Sequence, residues 1–142
     1  MPRRHTILLV DDEPDQCEVH EAVLRRAGHK VRSTTSPLEA LTLLDDVALV
    51  VTDVQMSEMN GLELCRRVQV VAPHALVIIL TGLGNFDAAV AALRAGAFDF
   101  LLKPIDPKLL IAAARRAVDE RSRRSAAPSS FDEEVTPSPS TR

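Results

Sequence analysis

Five short apolar segments recur along the chain, and each has the length of a β-strand. Their residues are β-branched or aliphatic, and turn residues bound them, which is a pattern typical of strands. The segments are TILLV at 6–10, KVRST at 30–34, VALVVT at 47–52, ALVIIL at 75–80 and FDFLL at 98–102. We therefore predict five strands.

The segments between these strands carry apolar residues at helical spacing and recognisable helix ends. Pro14 suits the first turn of a helix that Gly28 ends. Ser36 and Glu39 form a capping-box pattern at the start of the second helix, and Asn85 is a suitable N-cap for the fourth. The predicted helices cover about 14–27, 37–44, 62–71 and 86–95, and the fifth begins at 107.

The strict alternation of strands and helices predicts the fold class. Parallel strands need helical crossovers, and right-handed crossovers pack helices onto the sheet. We therefore predict an α/β fold, a doubly wound five-stranded parallel sheet of the flavodoxin-like (βα)5 type, over residues 5–122. Residues 123–142 are rich in Ser, Pro and acids, so we predict a disordered tail or linker there.

Composition excludes several classes of function. The 142 residues are 46% hydrophobic, which fits one domain with a core, and a net charge of −3 without a basic block argues against direct nucleic-acid binding. The longest apolar run, at 75–80, is too short to span a membrane. Cys17 and Cys65 have neither disulfide nor metal-site spacing, which suits a reducing compartment. We expect a cytoplasmic protein.

Polar residues stand where the predicted strands end. Ligands of open α/β sheets bind beyond the carboxyl ends of the strands. Two unit charges about 4 Å apart repel by about 4 kcal/mol near a protein surface, so clustered carboxylates need a cation, and oxygen ligands suit Mg²⁺. The residues are Asp11, Asp12 and Glu13 after the first strand, Asp53 after the third, Thr81 after the fourth, and Lys103 with Pro104 after the fifth.

Simpler interpretations of these residues stay open at this point. Acids at 11–13 are favourable at the start of a helix without any metal, and Asp53 or Thr81 could be ordinary turn residues. Lys103 could be a solvated charge.

Four motifs together resemble the receiver domain of bacterial two-component response regulators: LLVDDEP, VVTDVQMSEMNGLEL, LTGLG and DFLLKPID. The resemblance covers about residues 5–122 and implies that Asp53 accepts a phosphoryl group. It implies that Asp11 and Asp12 bind Mg²⁺ together with Asp53 and the backbone carbonyl of Gln55. FDFLLKPID and the charged final helix resemble receivers joined to enhancer-binding ATPases, and single-domain receivers and receivers attached to sensor kinases stay open as alternatives.

The resemblance also implies roles for the remaining polar groups. Thr81 and Lys103 match the hydroxyl and the amine of the family, and a cis peptide bond would join Lys103 to Pro104. Phe100 stands where the family carries its switch aromatic, so Thr81 and Phe100 form the predicted switch. Phe100 could also be an ordinary strand residue without a switch role. Phe98, two residues earlier, is expected on the same face as Phe100.

These residues predict a phosphorylation-dependent signalling switch. A carboxylate can attack phosphorus to form an acyl phosphate, and the transfer then needs alignment and neutralised charge, which Mg²⁺ and Lys103 would supply. By resemblance, the donor is a sensor histidine kinase or a phosphotransfer protein. We expect no enzyme in the usual sense, because the protein would catalyse only its own phosphotransfer and dephosphorylation.

The signal would leave through the surface of the fourth helix, fifth strand and fifth helix, which flank the predicted switch. Charges there offer contacts for a homodimer, or for an effector domain or downstream protein that the sequence does not name. They could equally be solvated, since surface pairs are weak. The charged residues are Arg94, Asp99, Arg115 and Arg116.

Three other classes of protein compete with this interpretation. A flavodoxin-like cofactor binder needs a phosphate loop after the first strand, where DDEP is acidic. A Mg²⁺-dependent phosphohydrolase typically carries a second acid two residues after its nucleophile, where this chain has Gln55. The remaining alternative is a receiver-like protein-interaction module that is not phosphorylated, and incubation with acetyl phosphate would distinguish it.

Overall fold

A computed structural model describes residues 6–82 and 84–126. The strands are β1 (Thr6–Val10), β2 (Lys30–Thr34), β3 (Val47–Asp53), β4 (Leu76–Thr81) and β5 (Asp99–Leu102). The helices are α1 (Pro14–Arg26), α2 (Pro37–Ala40), α3 (Gly61–Val71), α4 (Phe86–Arg94) and α5 (Pro107–Ala126). The strands form one parallel sheet in the order β2-β1-β3-β4-β5. The predicted doubly wound five-stranded sheet is therefore confirmed.

Helices cover both faces of this sheet. One buried cluster joins the central strands to α2, α3 and α4, and a second joins them to α1 and α5. Every residue of β1, β3 and β4 is buried. Coverage of both faces explains why these strands are almost continuously apolar in sequence.

The topology fixes where a ligand would bind. β1 pairs with β2 on one side and with β3 on the other, so the strand order reverses beside β1. Ligands in such sheets bind at the carboxyl ends next to this reversal. Asp11 follows β1 and Asp53 ends β3, so both carboxylates stand at that crevice.

Helix α2 is shorter than the predicted 37–44, and only half of its capping box forms. The Ser36 hydroxyl accepts a hydrogen bond from the Glu39 N–H at 3.1 Å, but the Ser36 N–H donates to the Thr34 hydroxyl. The helix ends after Ala40. Both the N–H and the hydroxyl of Thr42 donate to the Glu39 carbonyl, and such turn bonds compete with a continued helix.

Helix α5 continues to Ala126, past the predicted domain boundary at 122. Glu120 pairs with Arg124 at 2.9 Å and also with Arg123, and pairs at this spacing stabilise helices. Residues 123–126 are therefore helical, and the rest of the predicted tail, 127–142, lies outside the described residues. Neither α5 nor another helix in the described ranges is long and apolar enough to cross a membrane.

Phe98 and Phe100 pack on opposite faces of the sheet, so the prediction that they share a face is wrong. Phe100 packs against the cluster that contains α3 and α4, whereas Phe98 packs against the cluster that contains α5. The strand β5 begins only at Asp99. Strand alternation therefore does not extend back to Phe98.

Candidate functional site

Three carboxylates gather at the carboxyl end of the sheet. Each of Asp11, Asp12 and Asp53 offers an oxygen, and these oxygens all lie within 4.8 Å of one another. Asp11 and Asp53 are buried, with exposed fractions of 4% and 8%, and Asp12 is half-buried. We call these three residues the acidic cluster. Glu13 stays outside it, and its N–H donates to Asp11.

The Asp53 side chain is held by its own loop. Its Oδ1 accepts a hydrogen bond from the Val54 N–H at 2.9 Å, and the Val54 N–H also lies 3.1 Å from the carbonyl oxygen of Leu80 in β4. Gly61, at the start of α3, donates to the Val54 carbonyl at 2.8 Å. A Cβ at Gly61 would overlap the Asp53 carbonyl oxygen, so this glycine lets α3 approach the site.

Lys103 brings a positive charge to the acidic cluster. Its Nζ lies 3.2 Å from Asp53 Oδ1 and 3.7 Å from Asp11 Oδ2. The Lys103 backbone N–H donates to the Thr81 carbonyl at 2.8 Å, which ties the end of β5 to the end of β4. The peptide bond between Lys103 and Pro104 is cis. An ammonium group thus faces the two most buried carboxylates.

Burial makes the Asp11 carboxylate costly to keep charged. Its Oδ1 accepts from the Glu13 N–H at 3.0 Å, while its buried Oδ2 accepts no hydrogen bond within the described part of the chain. Burial raises the pKa of the Asp11 carboxyl above its usual value, and the Asp53 charge adds to this, whereas the Glu13 N–H and Lys103 oppose it. An additional cation beside Oδ2 would relieve this burial cost.

Asp12 links the acidic cluster to the loop between β3 and α3. Its Oδ2 accepts a hydrogen bond from the Ser57 N–H at 3.1 Å. Gln55 lies in the same loop, two residues after Asp53, with its side chain exposed. The loop that carries the Gln55 carbonyl is therefore fastened to the cluster.

Thr81 and Phe100 lie on the neighbouring strands. Thr81 is buried at the end of β4, one residue beyond Leu80, which pairs with Asp53. Phe100 is half-buried in β5 and pairs with Ile79. A cleft of about 280 Å³ separates Thr81 from the first half of α4. The structure thus places Thr81, one of the two predicted switch residues, beside an open space.

Sequence reasoning missed three residues around the site: Gly61, Ser57 and His20. His20 is buried on α1, where burial lowers the pKa of its imidazole and the Lys103 charge lowers it further. The Asn-Gly pair at 60–61 is a turn signal that could have marked the loop end. Neither Ser57 nor His20 has a local signal, because their contacts arise only in the folded chain.

The comparisons with known proteins agree with this geometry. Residues 7–115 match the family described as the response regulator receiver domain. The chain is 36% identical over 118 residues to the C4-dicarboxylate transport transcriptional regulatory protein DctD of Rhizobium meliloti, covering 82% of the chain and 26% of DctD. It is 41% identical over 105 residues to the response regulator protein PilR of Pseudomonas aeruginosa, covering 72% of the chain and 24% of PilR. The chain spans about a quarter of these relatives.

Solved structures show the same fold. A response regulator receiver domain from Clostridium thermocellum superimposes with a TM-score of 0.79 at 31% identity, covering 84% of this chain and 98% of that one. NtrX from Brucella abortus, solved in complex with ADP, gives 0.76 at 32% identity, covering 87% and 28%. The fold and the acidic cluster, together with these matches, define an α/β signalling domain. The chain belongs to the response regulator receiver domain family of two-component signalling, and the predicted resemblance is confirmed.

Proposed function

We propose that this domain is a phosphorylation-dependent switch that accepts a phosphoryl group on Asp53. The observation that carries the proposal is the contact between Lys103 Nζ and Asp53 Oδ1, 3.2 Å apart within the acidic cluster. A carboxylate at the carboxyl end of the sheet can attack phosphorus. The adjacent ammonium group stabilises the charge that develops on the phosphoryl oxygens.

The attacking Asp53 oxygen approaches phosphorus in line with the bond that breaks. One Asp53 oxygen forms a bond to phosphorus while the bond from phosphorus to the donor nitrogen of a phosphohistidine breaks, and an acyl phosphate results. Lys103 neutralises the phosphoryl oxygens, and the Thr81 hydroxyl donates to one of them. The domain modifies only itself in this step, so it is not an enzyme toward a separate substrate.

The residues present fit a Mg²⁺ ion. Asp11, Asp12, Asp53 and the backbone carbonyl of Gln55 would hold it, since all are hard oxygen ligands. The buried Asp11 Oδ2, which accepts no hydrogen bond within the described ranges, supports this assignment. When bound, the ion supplies charge neutralisation at the phosphoryl oxygens.

The donor is a sensor histidine kinase or a phosphotransfer protein, and we propose that it docks in a groove beside Lys103. The groove has a volume of about 630 Å³ and lies between α1 and the loop from β5 to α5. Its apolar members include Val19, which is 56% exposed, and Ile105. A protein seated there would hold its phosphohistidine within reach of Asp53.

Phosphorylation is transmitted through Thr81 and Phe100 to the output face, which we define as the surface of α4, β5 and α5. A phosphoryl group adds about −1.5 to −2 charge, which draws the Thr81 hydroxyl toward Asp53. The cleft beside Thr81 then gives Phe100 space to move inward. The output face, where Arg116 pairs with Asp99, serves as a homodimer or effector contact.

The wider setting of the domain is also a proposal. The DctD relative is named a transcriptional regulatory protein, which supports a receiver of the type found in enhancer-binding regulators. Such a receiver would work in the cytoplasm, where it would bind no nucleic acid directly and would control an effector domain or a downstream protein.

Incubation with Mg²⁺ and acetyl phosphate tests the assignment of Asp53. We expect intact-mass measurement to show one added phosphoryl group in the parent protein and none in Asp53→Asn. Asp106→Asn, which alters an exposed acid outside the cluster, is the matched control and should react like the parent. An unmodified parent would instead favour a protein-interaction module that is not phosphorylated, whereas equal modification of Asp53→Asn would refute Asp53 as the acceptor.

A further inference from the structure

Gln69 ties the C-terminal end of α4 to α3. Its side-chain Nε2 donates to the carbonyl oxygen of Ala95, the C-cap residue of α4. The Cys65 thiol, one turn earlier on α3, lies 3.3 Å from the same oxygen and also donates to it. The last carbonyls of a helix lack donors within the helix, so here α3 supplies the cap.

Packing reinforces this connection. Ala92 and Ala95 are each only 2% exposed and belong to the core cluster that contains α3. Gly96 follows with a φ of 91°, and a Cβ at this position would overlap the Gln69 amide. The absence of a side chain at 96 therefore gives the amide its place against the end of α4.

The N-terminal end of α4 is held differently. The N-cap residue Asn85 caps this end without help from another helix, since its Oδ1 accepts a hydrogen bond from the Ala88 N–H at 2.8 Å. Phe86 is 80% exposed, and Asp87, Ala88 and Ala91 line the cleft of about 280 Å³ beside Thr81. The first half of α4 therefore rests over open space, whereas the second half is packed and capped.

We infer that Gln69 is a positioning residue that makes the C-terminal end of α4 a pivot, so that activation swings the N-terminal end over the cleft. The trigger rests on the proposed phosphorylation of Asp53. The pivot predicts that the output face changes unevenly. Its part around Phe86 is displaced, and its part around Arg94 stays in place.

Spin-label distances test the pivot in the full chain. A reference label at Arg26→Cys on α1 is paired with Asp87→Cys or with Arg94→Cys, all three positions being exposed. The native thiols of Cys17 and Cys65 are buried and stay unlabelled. With Mg²⁺ and beryllofluoride, the 26–87 distance should shift by about 2 Å or more while the 26–94 distance stays fixed. An equal shift of both distances would overturn the inference.

Variants at Gln69 test whether its amide makes the pivot. Gln69→Glu keeps the size of the side chain but removes its donor, so the 26–94 distance should then shift with beryllofluoride as well. Val70→Ala, next to it and 83% exposed, is the matched control and should behave like the parent. A fixed 26–94 distance in Gln69→Glu would refute a role for Gln69.

The experiment distinguishes failure of the proposed function from failure of Gln69 as the anchor of the pivot. If beryllofluoride does not bind, which its ¹⁹F resonance reports directly, the proposed function fails. The anchor is then read without any ligand, because Gln69→Glu should broaden the 26–94 distance distribution and leave the 26–87 distribution as broad as in the parent. An unchanged 26–94 distribution in that ligand-free comparison would refute the anchor itself.

Discussion

The acidic cluster lies at the carboxyl end of the sheet and the output face lies along its β5 edge, and the two are held with different firmness. Every residue of β3 is buried, and Asp53 at its end is fixed by its loop and by Lys103. The strand β5 is only half-buried and ends exposed, and α4 buries only Ala92. The contrast indicates that the reacting groups stay in place while the neighbouring surface rearranges.

Loss of the Lys103 charge should give the largest effect and should fall on the chemistry. In Lys103→Ala we expect phosphorylation by acetyl phosphate to slow by about 10²–10³-fold, because the stabilising charge beside Asp53 is gone. Single-turnover rates measured by mass spectrometry check this. Lys108→Ala, an exposed lysine on α5, should keep the parent rate, and a similar rate in both variants would contradict our assignment.

The next largest effect is expected from a side chain at Gly61, which would disturb the backbone around Asp53. Gly61→Ala places a Cβ against the Asp53 carbonyl oxygen, so we expect the free energy of unfolding to fall by about 1–3 kcal/mol. Denaturant unfolding followed by circular dichroism measures it. In Gly82→Ala the new Cβ meets no atom within 4 Å, so that variant should unfold like the parent. Equal losses would remove the close approach of α3 as the cause.

Truncation of the half-buried switch aromatic should lower stability but leave acyl phosphate formation unchanged. Phe100→Ala should lower the free energy of unfolding by about 2 kcal/mol, less than for a fully buried Phe, and leave the phosphorylation rate near that of the parent. Phe86→Ala, at an 80% exposed position, should lose almost nothing. A slowed transfer in Phe100→Ala would mean that the two regions are not separable.

The exposed ion pair on the output face should have the smallest effect. Arg116 and Asp99 lie 2.9 Å apart, with the arginine side chain 60% exposed, and such pairs contribute about 0.2–1 kcal/mol. A double-mutant cycle of Arg116→Ala and Asp99→Ala should give a coupling energy of about 0.5 kcal/mol or less. A much larger coupling would show that the output face is as firmly built as the cluster.

Much of this molecule could be predicted from sequence because the relevant signals are local. Apolar runs bounded by turn residues marked the strands, and the parallel topology then brought Asp11, Asp53 and Lys103 to one edge. Side chains at the ends of parallel strands meet whatever the details of packing. For that reason the acidic cluster was foreseeable before any distance was known.

The features that could not be predicted depend on contacts between distant segments. The need for glycine at 61 comes from the backbone of Asp53, eight residues earlier, across a folded loop. Gln69 reads as an ordinary exposed helix residue until Ala95 is placed beside it. The prediction that Phe98 shares a face with Phe100 is wrong because the pairing of β5 with β4 begins only at Asp99.

The full burial of β3 also determines how rarely the site opens through fluctuations of the folded domain. A strand paired on both edges and covered on both faces belongs to the last part of a domain to open, so its amide protons exchange with solvent only when the whole domain unfolds. Asp53 ends this strand. We therefore expect Asp53 to keep its position while other parts of the domain open locally. Amide hydrogen exchange at residues 49–52 should then report the free energy of global unfolding.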